Sequence, residues 1–172
     1  MKLGKKSPFL VRQIRYLDES SDIKADSNIL ASWRERQEAL SAVWGFQCTC
    51  SLCSGTALEI EASDKRLERI LELQVILADF EPGSVATTAM AEELIQLYAE
   101  ENLHAAKATG YKVAALAYNA VGDIRTAQKH AKAALEMGIV SSGLDEYAEE
   151  MKRILANPVA HWSYRARGHD EL

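Results

Sequence analysis

The sequence predicts a mainly α protein: a short irregular N-terminal piece, one helix, a turn carrying three cysteines, then five helices in series. Three observations carry that expectation. From Ser63 onward, apolar residues recur at three- and four-residue steps without strand-like alternation. Serine, threonine or aspartate stands at the start of several of these stretches, and glycine or proline closes most of them. Between Cys48 and Cys53 the order is C-x-C-x-x-C, three thiols in six residues.

Residues 1–30 are the least regular part. Phe9 to Tyr16 suits a short strand, because Leu10, Val11 and Ile14 favour extended backbone. Ser20 to Asn28 is polar, and Asp22, Asp26, Ser27 and Asn28 favour turns. Ser32, with Glu35 three positions later, reads as a capping box. The helix it opens carries Trp33, Ala39, Leu40 and Val43 and stops at Gly45, a residue that tolerates the left-handed conformation closing many helices. The cysteine turn comes next, loosened by Ser54-Gly55.

The helical part follows. Asp64 to Phe80 places Leu67, Ile70, Leu71, Leu77 and Phe80 near one face, and Pro82-Gly83 ends it. Thr88 to Leu103 turns Met90, Leu94, Leu97 and Tyr98 inward and Glu92, Glu93, Glu100 and Glu101 outward. Tyr111 to Val121 is closed by Gly122; Asp123 caps Ile124 to Met137, with Gly138 after it. Leu144 to Leu155 halts before Pro158, since the residue preceding proline avoids the helical region. His161-Trp162-Ser163 is either a cap over the last helix or a frayed tail. His104 and His130, among alanines and lysines, read as surface residues.

Composition narrows the function classes. Forty-eight per cent apolar residues can supply a core, which sets global disorder aside. A net charge of −5 without a sustained basic stripe argues against nucleic-acid binding, and the basic start (Lys2, Lys5, Lys6, Arg12, Arg15) reads as a solvated tail. No apolar run approaches the roughly 18 residues of a membrane span. The chain ends His169-Asp170-Glu171-Leu172, an ER-retention signal in letters, but Met1 to Ser20 has no signal-peptide core. The expected location is therefore cytoplasmic or nuclear, a reducing setting that suits clustered thiols.

Cys48, Cys50 and Cys53 are the candidate metal ligands. Thiolates are soft, and a sulfur-rich tetrahedral site suits zinc. A closed structural site takes four ligands and the chain has three cysteines, so the fourth is a histidine, a carboxylate or a group from elsewhere. Three half-buried thiols without metal is the plainer alternative. No nucleophile motif and no Gly-rich phosphate loop appears.

Arg36-Gln37-Glu38-Ala39-Leu40 followed by Trp44-Gly45-Phe46-Gln47-Cys48-Thr49-Cys50-Ser51-Leu52-Cys53 resembles the end of a SET domain running into its post-SET cysteines. The similarity is to protein-lysine methyltransferases of the SET-and-MYND type, the fungal ones in particular. It implies that residues 1–55 are the end of the SET domain with the cysteine turn, and that residues 63–172 form a tetratricopeptide-like (TPR-like) helical domain. Tyr111, Ala115 and Tyr118, then Gly122-Asp123, then Ala127, Ala134 and Leu135 resemble one TPR hairpin.

The resemblance further implies zinc on the three cysteines with a fourth from an Asn-His-Ser-Cys segment, which this sequence does not contain. It implies that Phe46 helps to hold the adenine of S-adenosylmethionine. Tyr16, in Ile14-Arg15-Tyr16-Leu17-Asp18, matches the family's Ile-Ser-Tyr-Ile-Asp and is the candidate catalytic hydroxyl. In a second alignment Asp22-Ile23-Lys24-Ala25 matches the turn before that tyrosine, whose own segment is then missing. The implied substrate is a protein or peptide, a histone or another lysine-bearing chain. The expectation is the C-terminal part of such an enzyme, inactive alone; the alternative is a helical module that binds a peptide between its helices.

Overall fold

The computed structural model describes residues 30–50, 52–142 and 146–168. Among them are six α-helices and no strand: α1 Trp33–Trp44, α2 Ala57–Leu77, α3 Thr88–Glu100, α4 Lys107–Ala120, α5 Ile124–Ser142 and α6 Glu146–Ala156. Single 3-10 turns occupy His104–Ala106 and Pro158–Ala160. The mainly α expectation holds over these residues, whereas the strand expected at Phe9 to Tyr16 lies outside them. The described chain divides into two compact units that meet within α2, one up to Glu72 and one from Leu73.

In the first unit α1 starts as its residues dictate. Ser32 Oγ accepts from the Glu35 N–H at 3.3 Å while Glu35 Oε2 accepts from the Ser32 N–H at 2.8 Å, so two otherwise unpartnered donors are satisfied. Trp33 N–H donates to Asp64 Oδ1 at 2.8 Å, tying the start of α1 to α2. α2 itself begins at Ala57, earlier than the expected Asp64, because Thr56 and Glu59 form a second reciprocal cap. It also ends sooner, at Leu77, and leaves Pro82-Gly83 in the turn beyond. Leu67, Ile70, Leu73 and Leu77 are its buried face; Leu71, expected inside, is exposed.

In the second unit α4 is the central helix, in contact with α3, α5 and α6. Val113, Ala114, Ala115, Leu116, Ala117, Asn119 and Ala120 are all buried and Tyr118 is half-buried, so little of this helix meets solvent along its second half. Such a position requires small side chains. Gly110 shows the tightest approach: a Cβ there would meet the Tyr98 ring at 2.9 Å. At its end Gly122 N–H donates to Asn119 O and Asp123 N–H to Tyr118 O, both at 3.0 Å, the paired bonds of a Schellman close. Asp123 then caps α5 by accepting from Thr126 N–H at 3.1 Å. This three-residue link folds α5 back along α4, and Ala115, Leu116, Ala127, Ala131, Ala134, Met151 and Ile154 close into one core, flanked by Tyr111, Tyr118 and Leu135.

Three expectations are corrected. α5 continues through Gly138 to Ser142, since one glycine costs only about 1 kcal/mol against alanine in a helix. Glu101, expected outside, is buried at the end of α3. His130 is 4 % exposed, because it lies on the same stripe as Ala127, Ala131 and Ala134. Its ring stacks on Tyr111 and Tyr118 at centroid distances of 5.9 and 5.2 Å. Its Nε2 lies 2.9 Å from Glu92 Oε1, a contact that becomes an ion pair only when the ring is protonated. His104 is exposed, as expected.

The segment after α6 is a cap and not a frayed tail. Asn119 Nδ2 donates to Pro158 O at 3.2 Å and to Ser163 Oγ at 2.9 Å. Arg165 N–H and Arg167 N–H return to the carbonyls of Asn119 and Ala120, at 3.1 and 3.4 Å. Arg167 is buried, donates to Leu77 O at 2.8 Å and Asp79 O at 2.9 Å, and covers the Phe80 ring at 4.4 Å. Desolvation pulls its guanidinium down to about 10, which leaves it charged at neutral pH. Lys112 and Glu150 make a buried ion pair at 3.2 Å, and Trp162 Nε1 donates to the same carboxylate at 3.2 Å.

Two predictions follow from this packing. Ala115→Glu places a charge where α4 and α5 touch, and chemical unfolding should show a loss of about 3–5 kcal/mol. A loss under about 1 kcal/mol would put Ala115 at the surface instead. The second concerns pH. Burial holds His130 and His161 below the ordinary histidine value of 6.5, against the pull of Glu92 and Glu150 respectively. The unfolded chain therefore takes up protons near 6.5 that the folded chain refuses, so stability is greatest above that pH and falls as pH drops through it. His130→Phe should flatten the slope of melting temperature against pH between about 7 and 5; an unchanged slope removes His130 from the effect.

Candidate metal centre

The three thiols sit where α1 directs the chain. Gly45 ends the helix in the left-handed conformation, φ 69°, and its N–H donates to Ser41 O at 3.1 Å. The chain then doubles back along α1. Cys48 N–H donates to Gln37 Oε1 and Gln37 Nε2 donates to Cys48 O, both at 2.9 Å. The side-chain amide thus mimics a partner strand and fixes the backbone of the first cysteine. At the other end, Trp33 Nε1 donates to Cys53 O at 3.0 Å. Trp33 and Gln37 are four residues apart and share one face of α1, so a single helix face holds both ends of the cysteine segment.

Between these anchors the backbone makes one tight turn. Cys53 N–H and Ser54 N–H both donate to Cys50 O at 2.9 Å, and Ser54 Oγ donates to Thr49 O at 2.9 Å. The three sulfurs lie within 4.8 Å of one another, Cys48 and Cys53 half-buried and Cys50 exposed. Two sulfurs on one tetrahedral zinc, each about 2.3 Å from the ion, stand ~3.8 Å apart, so at most ~1 Å of closure gathers them. Among the described residues no histidine or carboxylate joins the group.

The electrostatics of the turn favour an ion. The Cys53 N–H, followed by the Cys48 thiol, holds the Cys50 thiol down to about 7, while burial, with the neighbouring sulfurs, pushes Cys53 up to about 11. At neutral pH Cys50 is therefore partly thiolate, whereas Cys53 loses its proton only to a cation, and binding releases that proton. This arrangement can bind a metal.

The other candidates fall elsewhere. Phe46 stands two residues before Cys48 with 50 % of its surface open, beside Trp44 at 61 %. Tyr16 and both of its alternative alignments lie outside the described residues, as does the terminal His-Asp-Glu-Leu. Gln37 and Trp33, which position the turn, were visible only as members of a helix. A glutamine on the face that a cysteine segment folds back onto is the signal for such a role.

One further group has the look of a catalytic set. His161 Nδ1 lies 2.8 Å from Ser163 Oγ, and Nε2 3.9 Å from Glu150. Ser163 is 0 % exposed and already accepts from Asn119, so no substrate reaches its hydroxyl. The trio holds the cap in place. No described helix is long and apolar enough to cross a membrane. Set against known proteins, the chain matches no family model, no curated protein and no solved structure.

Gln37→Leu keeps the bulk of the side chain and removes both bonds to Cys48, a local loss of about 1–2 kcal/mol. Cys48 and Cys53 should then react faster with a thiol reagent while the helical circular dichroism stays unchanged. Equal rates would mean that the turn holds itself without α1.

Proposed function

We propose that the three-cysteine turn is a zinc site, and that the chain is the post-SET turn and TPR-like helical domain of a protein-lysine methyltransferase of the SET-and-MYND type. The observation that carries the first half is the gathering of the chain's three thiols within 4.8 Å on an anchored turn. Thiolate softness favours zinc over magnesium or calcium. Zinc there ties the turn shut and adds to its folding free energy, with water or an outside group as the fourth ligand. The second half rests on the resemblance from Arg36 to Cys53 and on the helices that follow it. In the TPR-like reading, α4 and α5 are a repeat hairpin joined by the Gly122-Asp123 close, with Ala115, Ala127 and Ala134 at their contact.

The described residues do not fit S-adenosylmethionine. Phe46, the implied adenine contact, is a half-open ring on an exposed turn. One such ring cannot enclose a charged sulfonium ligand or keep water from it. In this reading the chain is the substrate-facing, metal-stiffened end of the enzyme, and methyl transfer needs the SET core. A second reading, a helical module that binds a peptide, is favoured by the cap Pro158 to Gly168. It closes the helical unit with its own hydrogen bonds.

Zinc content after dialysis tests the metal. One zinc per chain, lost to a chelator and absent from Cys48→Ser, is the expected result; zinc-free protein with three freely reactive thiols overturns it. Calorimetry with S-adenosylmethionine should show no binding. Micromolar affinity abolished by Phe46→Ala would mean that the chain builds a donor pocket of its own.

A further inference from the structure

The count of sulfurs at the turn determines which ions it holds best. The whole sequence contains three cysteines, and all of them are here. The turn itself therefore offers an ion three thiol sulfurs. Among the described residues no histidine or carboxylate completes a tetrahedron either. A divalent metal on three thiolates keeps one negative charge in excess and one open position. A trivalent ion that takes three ligands leaves neither.

We propose that the turn is a receptor for thiophilic ions satisfied by three sulfurs, with trivalent arsenic as the representative ligand. The proposal rests on the zinc reading only in taking the turn as an ion site. Three features support it. The sulfurs lie within 4.8 Å of one another, so one small ion can bridge them with little backbone movement. Cys50 is exposed, which gives an incoming oxyacid a first thiol to meet, with Cys48 and Cys53 half-buried behind it. Gln37 and Trp33 hold the backbone at Cys48 and Cys53, so the second and third bonds close without ordering a free loop.

The chemistry balances without an oxidant or a reductant. Arsenous acid, As(OH)3, exchanges each As–O bond for an As–S bond. Each displaced hydroxide leaves as water with the proton of the attacking thiol. Three thiols and one arsenous acid give one As(S)3 group and three waters, and arsenic remains trivalent throughout. The product is neutral and carries no exchangeable ligand, unlike a zinc held by the same sulfurs.

The test uses the full chain, reduced and metal-free, titrated with sodium arsenite under anaerobic conditions. Free thiols are counted by a colorimetric reagent, and the adduct is weighed by native mass spectrometry. The expected result is one arsenic per chain with all three thiols lost together. Cys48→Ser, Cys50→Ser and Cys53→Ser should each weaken binding by about tenfold or more, with the helical circular dichroism unchanged. Loss of only two thiols, no loss, or a serine variant that binds as tightly as the parent overturns the proposal. Zinc retained without arsenite binding sinks this inference and keeps the zinc reading; arsenite bound without zinc does the reverse.

Discussion

The helical unit depends on a central helix enclosed on most of its surface. α4 contacts α3, α5 and α6, and its end is sealed by the cap, so Val113 to Ala117, Asn119 and Ala120 are all buried. Helix ends normally leave carbonyls for water, and here Asn119 O and Ala120 O are taken by the backbone of Arg165 and Arg167. Asn119 is the polar residue at the junction, its amide reaching Pro158 and Ser163 across the sequence. Lys112 and Glu150 are buried as a pair, and removing one partner would leave the other charge alone at a cost of about 3–5 kcal/mol. Small side chains permit the packing, and paired polar groups select one arrangement of it.

The cysteine turn obeys a different logic. It has no large apolar core of its own: Val43, Trp44, Phe46 and Leu52 around it are exposed. Its order comes from polar contacts to α1, the Gln37 amide on Cys48 and the Trp33 indole on Cys53. Such a segment has a defined backbone and little hydrophobic stabilisation, which is the situation in which an ion contributes most to folding. The three thiols are thus held close together by the turn itself, an arrangement that can bind a metal.

Local chemistry was legible in the sequence, and long-range chemistry was not. The Ser32–Glu35 box, the Gly45 stop, the Asp123 cap and the Ala115 contact each depend on residues close in sequence or on one periodic stripe, and each is found as read. Thr56 and Glu59 carry the same signal as Ser32 and Glu35, yet the apolar pattern of α2 begins later and drew its start to Asp64. The lysines beside His130 suggest a surface residue, whereas its alanine neighbours at positions 127, 131 and 134 mark the buried stripe. The sequence leaves His161-Trp162-Ser163 open between a cap and a frayed tail, because Asn119 and Ser163 meet across 44 residues and nothing local to either announces the other. At the site, the cysteine cluster follows from spacing; its support by Gln37 needs the fold-back after Gly45.

The central claim is that the turn presents the three sulfurs of Cys48, Cys50 and Cys53 to one ion. X-ray absorption at the zinc edge of the zinc-loaded chain measures this directly. The account predicts three sulfur neighbours at about 2.3 Å and one oxygen or nitrogen neighbour at about 2.0–2.2 Å. A shell with fewer than three sulfurs, or one of oxygen and nitrogen alone, would contradict it.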